Sequence, residues 1–268
     1  MEQETRYNEG SRPAWQLSET GDAPVPLQPL TDYHCHLLPG VDDGPGNIGE
    51  SIEMARLLAR AGYRFAHCTP HMIRYRYDAD NATVLDVLRD VQREIDSEGI
   101  PLRLLSGREY FLDEFLLEYL TDPMPLEGTG RLLVEIPPGS LPGFARDMIA
   151  EILNRGFSLM IAHPERCPLL GQHAGSPKPA GLFKRWKPAD GSIPESSQAS
   201  SGLLEWLIDS GCSFQANLGS FRGSYGRTPR FNAESFSAAC IYTHYGTDAH
   251  CAADLDQLAD MVHRFYRG

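Results

Sequence analysis

From Leu30 onward the chain alternates short apolar runs with segments of helical period, and this rhythm narrows the fold more than any other feature. A strand ending at His34 precedes a helix over 47–61, where Ile48, Ile52, Ala55 and Leu58 recur at helical spacing until Gly62 stops it. Further strands are predicted at 64–69, 102–106, 131–136, 158–162, 213–216 and 241–246. Helices are predicted at 81–97, 112–120, 144–155, 203–210 and 253–266. Repeated strand–helix units require parallel strands joined by right-handed crossovers. Seven such strands imply an α/β chain folded as a distorted seven-stranded parallel (β/α)7 TIM-like barrel, with an open doubly wound sheet as the alternative.

At 268 residues the chain suits one barrel-sized domain, placed at 31–268. Residues 1–30 hold four prolines and little apolar periodicity, which predicts a flexible N-terminal extension. The rhythm breaks again across 171–201, rich in Gly, Ser and Pro, so a surface insertion is expected there. Lys184, Arg185, Trp186 and Lys187 form a small basic-aromatic patch within it, most simply a solvated loop tip. A net charge of −12 speaks against sequence-independent nucleic-acid binding, which needs many cations to displace phosphate counterions. No apolar run is long enough to span a bilayer and the first residues lack a signal-peptide pattern, so a cytoplasmic protein without membrane insertion is expected. The six cysteines lack the paired spacing of zinc ribbons or redox motifs and read as reduced, mostly buried thiols.

The side chains able to bind metal recur in one place, just past the C-terminal end of strand after strand. His34 and His36, in Asp32-Tyr33-His34-Cys35-His36, end the first; residues i and i+2 of an extended segment face the same side. An acidic turn, Asp42-Asp43-Gly44, comes soon after. His71 follows the second strand, Glu109 the third, Glu135 closes the fourth, His163 follows the fifth, and Asp248 with His250 follows the last. Each alone has a plain structural reading: a solvated glutamate, a turn histidine before Pro164, a helix-capping Asp248. Independent surface residues have no reason to recur at the same end of every strand, and in a parallel barrel all these positions open onto one face.

So many imidazoles and carboxylates exceed the needs of one ion, so two or three divalent cations are expected. Mixed nitrogen and oxygen donors suit manganese, iron or zinc better than calcium or copper. Adjacent cations lower the pKa of a bridging water to give hydroxide at neutral pH and clamp the oxygens of a phosphate during in-line displacement, so phosphate-ester hydrolysis is the expected reaction. Arg166, three residues beyond His163, is expected at the rim of the same face, holding the phosphate; a surface ion pair is the alternative.

With Asp32-Tyr33-His34-Cys35-His36-Leu37-Leu38-Pro39-Gly40-Val41-Asp42-Asp43-Gly44-Pro45, Thr69-Pro70-His71, Ile161-Ala162-His163-Pro164-Glu165-Arg166, Ser220-Phe221-Arg222-Gly223 and Tyr225-Gly226 in view, the chain resembles the polymerase and histidinol phosphatase (PHP) superfamily. Within it, the likeness is to the bacterial capsular and exopolysaccharide protein-tyrosine phosphatases (CpsB/CapC-like), from about Asp32 to the C-terminus. The resemblance implies the PHP fold, up to three metal ions, usually manganese, and dephosphorylation of protein phosphotyrosine on the tail of a tyrosine autokinase controlling capsule or exopolysaccharide synthesis. Carried over, it implies His34, His36, Asp43, His71, Glu109, Glu135, His163, Asp248 and His250 as the metal set and Arg166 as a phosphate binder. Between Asp42 and Asp43 it favours Asp43. Relatives often carry an Arg-Pro pair where Cys251-Ala252-Ala253-Asp254-Leu255 stands here, which removes one expected substrate contact.

Three other readings compete. His67-Cys68-Thr69-Pro70-His71-Met72-Ile73-Arg74 spells the His-Cys-x5-Arg of thiolate tyrosine phosphatases, although its loop has no glycine and Pro70 removes an N–H. The same metal site also suits small phosphomonoesters, as in histidinol-phosphate phosphatases, or a non-catalytic protein that holds a kinase tail.

Overall fold

The computed structural model describes residues 29–171, 202–256 and 262. The expected extension over 1–30 and insertion over 171–201 lie outside the described residues except at their edges, as does most of the helix expected at 253–266. A 3-10 turn, Ala252–Leu255, stands where that helix begins. Among the described residues no helix is long and apolar enough to cross a membrane.

Strand β1 (Leu30–Cys35) is followed by α1 (Ile48–Ala61), β2 (Tyr63–Cys68), β3 (His71–Met72), α2 (Asn81–Ser97), β4 (Arg103–Ser106) and β5 (Glu109–Phe111). Then come α3 (Leu116–Tyr119), β6 (Arg131–Glu135), α4 (Pro142–Asn154), β7 (Ser158–Ala162), α5 (Leu203–Asp209), β8 (Ser213–Asn217), α6 (Leu218–Arg222), α7 (Arg227–Ala238) and β9 (His244–Gly246). Every paired strand is parallel, in a three-stranded sheet ordered β1-β2-β4 and a six-stranded sheet ordered β3-β5-β6-β7-β8-β9. The architecture is therefore mixed α/β with parallel sheets. Among the described residues nine strands stand where seven were expected, because the second and third are each interrupted, at Thr69-Pro70 and at Gly107-Arg108. Proline has no N–H to donate to a ladder, which accounts for the first break. The two sheets also meet at their far edges: Asp248 N–H donates to the His34 carbonyl at 2.7 Å and His36 N–H to the Ala249 carbonyl at 3.0 Å. Gly246 permits that approach, since a Cβ there would lie 2.6 Å from the His34 Cβ.

The helix ends follow local rules. The Asn47 side chain accepts from Glu50 N–H to cap α1, and Gly62, at φ 104, ends it in a left-handed turn that a side chain would strain. Asp80 caps α2 by accepting from Thr83 N–H, and α2 buries Val84, Val91 and Ile95. Its Gln92 pins β4, donating to the Leu102 carbonyl and accepting from Leu104 N–H. The helix expected over 112–120 shrinks to the single turn of α3, and α7 was not expected at all. Two of the three residues α7 buries are Asn232 and Ala233, so its inner face carries little apolar signal.

Alternation divides the strands into two faces. Leu132, Val134, Leu159 and Ile161 join α4, α5 and α7 in one core, while Leu133, Met160 and Ala162 point the other way and form a small inner cluster with Leu126. Glu135 shares the parity of Leu133, and Gln215 pairs in register with Ala162. The inner face thus turns from apolar to polar toward the C-terminal strand ends.

Candidate metal centre

At those ends His34 and His36 are oriented by partners on their Nδ1 atoms. His34 Nδ1 donates to Gln215 Oε1 at 2.9 Å; the Gln215 amide is fixed because its Nε2 donates to the Ala216 carbonyl and its Oε1 also accepts from His163 N–H. His36 Nδ1 donates to Asp42 Oδ2 at 2.7 Å. With the Nδ1 protons so committed, the Nε2 lone pairs of the neutral rings face one another 3.1 Å apart. Glu109 Oε2 lies 3.2 and 3.3 Å from these nitrogens, and Asp248 Oδ1 lies 3.3 Å from each. All four side chains are buried. Four electron-rich atoms cannot converge in a dry site without positive charge among them. In the metal-free chain, protons meet that need: burial opposes it, but Glu109 and Asp248 outweigh burial and pull His34 up to about 9. His36 rises well above the usual imidazole range against the same burial cost, held by Asp248, Asp42 and Glu109. The carboxyls of Glu109 and Asp248 fall well below their usual range although burial alone would raise them, because the imidazoles, His34 first, hold them charged. The donors fit a divalent cation, which would displace those protons.

Two further groups adjoin this one. His36, Asp43, His71 and His250 bring their donor atoms within 4.8 Å of one another, as do His71, Glu109 and Glu135. Asp43 Oδ1 is 3.5 Å from His71 Nε2 and 3.4 Å from His250 Nε2. Glu109 Oε2 is 3.0 Å from His71 Nδ1, and neither atom has a hydrogen-bond partner within normal geometry. Burial and the charge of Glu109 raise the Glu135 carboxyl above its usual range, so this third group also favours added positive charge. Glu109, His36 and His71 each belong to two groups, which makes the cluster one connected site.

His163 stands beside the groups: its Nε2 is 3.0 Å from Glu109 Oε1 and its ring stacks on His34. Strand alternation after Ala162 would aim it away. A left-handed backbone at His163, φ 29, turns the chain there, and Asp248 at φ 52 shares this rare conformation. Arg166 donates to Asp248 Oδ2 and lies over the Tyr225 ring, 4.3 Å from its centroid, with its side chain 28% exposed. Burial opposes its charge, but Asp248 raises the guanidinium further above its usual range. The structure thus brings all ten singled-out side chains together, nine of them as candidate ligands or their immediate neighbours, although His71 and Glu109 open β3 and β5 rather than follow a strand end.

Asp42 and Asp43 divide their tasks. Asp42 orients His36, accepts from His71 and Gly44 N–H groups, and is held at about 2, since those contacts outweigh burial. Asp43 presents its oxygen to the histidines instead. Gln215 and Asn217 escaped the sequence reading, yet two polar residues at alternate places of a strand whose five residues are all buried are a usable signal. Asn217 donates to Asp248 Oδ2 and to the Tyr225 hydroxyl.

The thiolate reading fails on geometry. Cys68 is fully buried and burial pushes its thiol far above the ordinary range, while Arg74 is engaged with Glu118 and Phe115 rather than with a phosphate loop. Cys68→Ser is expected to hold kcat per folded molecule within about threefold, checked by turnover normalised to folded protein; a loss of a thousandfold would restore the thiol to the chemistry.

Residues 30–176 match the family described as capsular polysaccharide synthesis, CpsB/CapC. The tyrosine-protein phosphatase YwqE of Bacillus subtilis is 28% identical over 223 residues, covering 82% of this chain and 77% of that protein. The tyrosine-protein phosphatase CpsB of Streptococcus agalactiae is 25% identical over 139 residues, 51% of this chain and 57% of that one. A chain from the crystal structures of YwqE from Bacillus subtilis and CpsB from Streptococcus pneumoniae, described as unique metal-dependent tyrosine phosphatases, superposes with a TM-score of 0.67 at 25% identity, covering 89% of this chain and 88% of that chain.

Proposed function

We propose that this chain, which belongs to the CpsB/CapC family of capsular polysaccharide synthesis, is a metal-dependent phosphatase that hydrolyses protein phosphotyrosine. One observation carries the reading: the Nε2 atoms of His34 and His36 and the carboxylates of Glu109 and Asp248 converge in a buried site that needs cationic charge. We assign His34, His36, Asp43, His71, Glu109, Glu135, His163, Asp248 and His250 to two or three divalent ions, manganese first, with iron or zinc as substitutes. The two sheets are best taken as one distorted seven-stave barrel, a reading supported by the hydrogen bonds from Asp248 and His36 across its seam.

Bound there, the ions supply charge that stabilises phosphoryl transfer and acidity that makes water a nucleophile at neutral pH. The chain's own residues do the rest. Asp42 and Gln215 keep the Nε2 atoms of His36 and His34 turned inward, because each occupies the opposite ring nitrogen. Tyr225 and Asp248 hold the Arg166 guanidinium at the rim, where its planar donors match phosphate oxygens. The partner we assign is a phosphotyrosine-bearing tail of a tyrosine autokinase, in the cytoplasm; the six free cysteines suit a reducing compartment.

Chelation followed by gel filtration is expected to lower hydrolysis of a phosphotyrosyl peptide at least about 100-fold, and added manganese to restore it. Undiminished turnover by protein shown free of metal would overturn the reading.

A further inference from the structure

The segment following His71 is absorbed by none of the roles above. Ile73 and Tyr77 form an antiparallel bridge, so residues 73–77 make a tight hairpin directly after the candidate ligand His71. Tyr77 folds back to stack on the His71 ring at 5.7 Å, which ties the hairpin to a candidate ligand. Its tip carries Tyr75, whose 81% exposure is the greatest of any exposed large apolar side chain described. A ring so fully exposed removes little apolar area from water and so adds little to the core. The ring is nonetheless held in place. Tyr75 adopts a left-handed backbone, φ 65, and Arg74 lies over both the Tyr75 and Phe115 rings while pairing with Glu118. Strain at a presented side chain is a feature of ligand clamps.

Beside it, Arg76 is exposed and stacks on Tyr77, and among the described residues no carboxylate lies within ion-pair distance of it. In a chain of net charge −12 this leaves the Arg76 guanidinium available to an anion from outside, one stacked ring away from His71. The same face exposes Leu141 at 71% and Tyr225 at 40%, on segments that follow β6 and β8. A surface that combines exposed apolar side chains with a guanidinium free of carboxylate partners suits an extended polypeptide better than a small phosphate ester, which offers less to contact.

We propose that the Ile73–Tyr77 hairpin is the arm that grips the polypeptide beside its phosphotyrosine, Tyr75 packing on the peptide and Arg76 pairing with an acidic residue that flanks the phosphotyrosine. This inference rests on the phosphotyrosine reading and adds a sequence preference to it.

The test compares two peptides identical except that glutamate or lysine flanks the phosphotyrosine. Wild-type protein is expected to favour the glutamate peptide about fivefold in kcat/KM, less at 0.5 M salt, and Arg76→Glu is expected to invert the preference. Inversion is a change in the ratio of two rates measured on the same sample, in which the fraction of folded protein cancels, so it cannot come from misfolding. Tyr75→Ala is expected to raise KM for both peptides about tenfold with kcat held within twofold. A preference equal in wild type and Arg76→Glu overturns the proposal while leaving the phosphatase standing. Absence of turnover on both peptides and on para-nitrophenyl phosphate overturns the underlying reading instead. A dimer that Tyr75→Ala converts to monomer, with KM unchanged, assigns the hairpin to contacts between copies and also overturns it.

Discussion

Glu109→Gln is expected to remove at least one cation per chain and to lower phosphotyrosine turnover by about a thousandfold. The glutamine has the same shape, so the reason lies in charge. One Glu109 oxygen stands 3.0 to 3.3 Å from nitrogens of His34, His36 and His71, and the other stands 3.0 Å from His163 Nε2. No other candidate carboxylate touches four imidazoles, and Glu109 belongs to two of the three donor groups. A carboxamide in that position would turn N–H groups toward the imidazole lone pairs and satisfy them by hydrogen bonding, which closes the site to an ion. It would also remove the carboxylate that does most to keep His34 charged, so its pKa falls from about 9 toward the ordinary value. Metal analysis by mass spectrometry, side by side with peptide kinetics, checks both halves. A variant that keeps its full metal complement and its turnover would remove Glu109 from the centre.

Glu109 was legible as the donor just after the strand expected at 102–106, although the structure makes it the first residue of β5. The helical spacing over 47–61 and the β-rich runs at 131–136 and 158–162 fixed where strands stop, and the donors follow those stops. Periodicity is a local property, and it located α1, α2, β6 and β7 to within a residue or two. What sets the orientation of each ring is not local. Gln215 meets His34 across 181 positions of sequence, and Asp248 meets Arg166 across 82. Those meetings depend on which strands lie side by side and in which register. The register of β1 on β2 even shifts between Asp32 and Cys35, so counting along the strand does not predict which side chains converge.

The acidic turn shows the same limit at short range. Asp42 and Asp43 are chemically identical neighbours, and only the path of the loop decides that Asp42 reaches His36 Nδ1 while Asp43 points at His71 and His250. The buried Asp32 is a further case, accepting from the backbone N–H groups of His34 and Thr247 and from the Thr247 hydroxyl. It ties β1 to the segment after β9 and so supports the seam on which His34 and Asp248 meet. Nothing in Asp32-Tyr33-His34 alone distinguishes this structural aspartate from a ligand. The α7 helix was missed for the complementary reason: its buried face bonds to the loop through Asn232, which donates to the Glu165 carbonyl, rather than through an apolar stripe.

Arg166→Ala is expected to keep the cations in place and to lower kcat/KM for a phosphotyrosyl peptide by about 100-fold. Loading survives because Asp248 retains other partners: Asn217 Nδ2 donates to the same oxygen at 2.8 Å, and His34 and His36 stand 3.3 Å from the other. Turnover suffers because the other guanidiniums on this side are engaged elsewhere: Arg108 is fully buried and spends its donors on Asn81 and the carbonyls of His71 and Ala79, and Arg76 is stacked on Tyr77 in the hairpin. Arg166→Lys separates charge from shape. An ammonium keeps the positive field but loses the planar fork and much of the stacking on Tyr225, so it is expected to recover about tenfold of the loss and no more. If Arg166 were only an anchor for Asp248, Arg166→Ala would instead lower metal content or melting temperature in step with activity. Full metal loading together with wild-type kcat/KM would take Arg166 out of the mechanism.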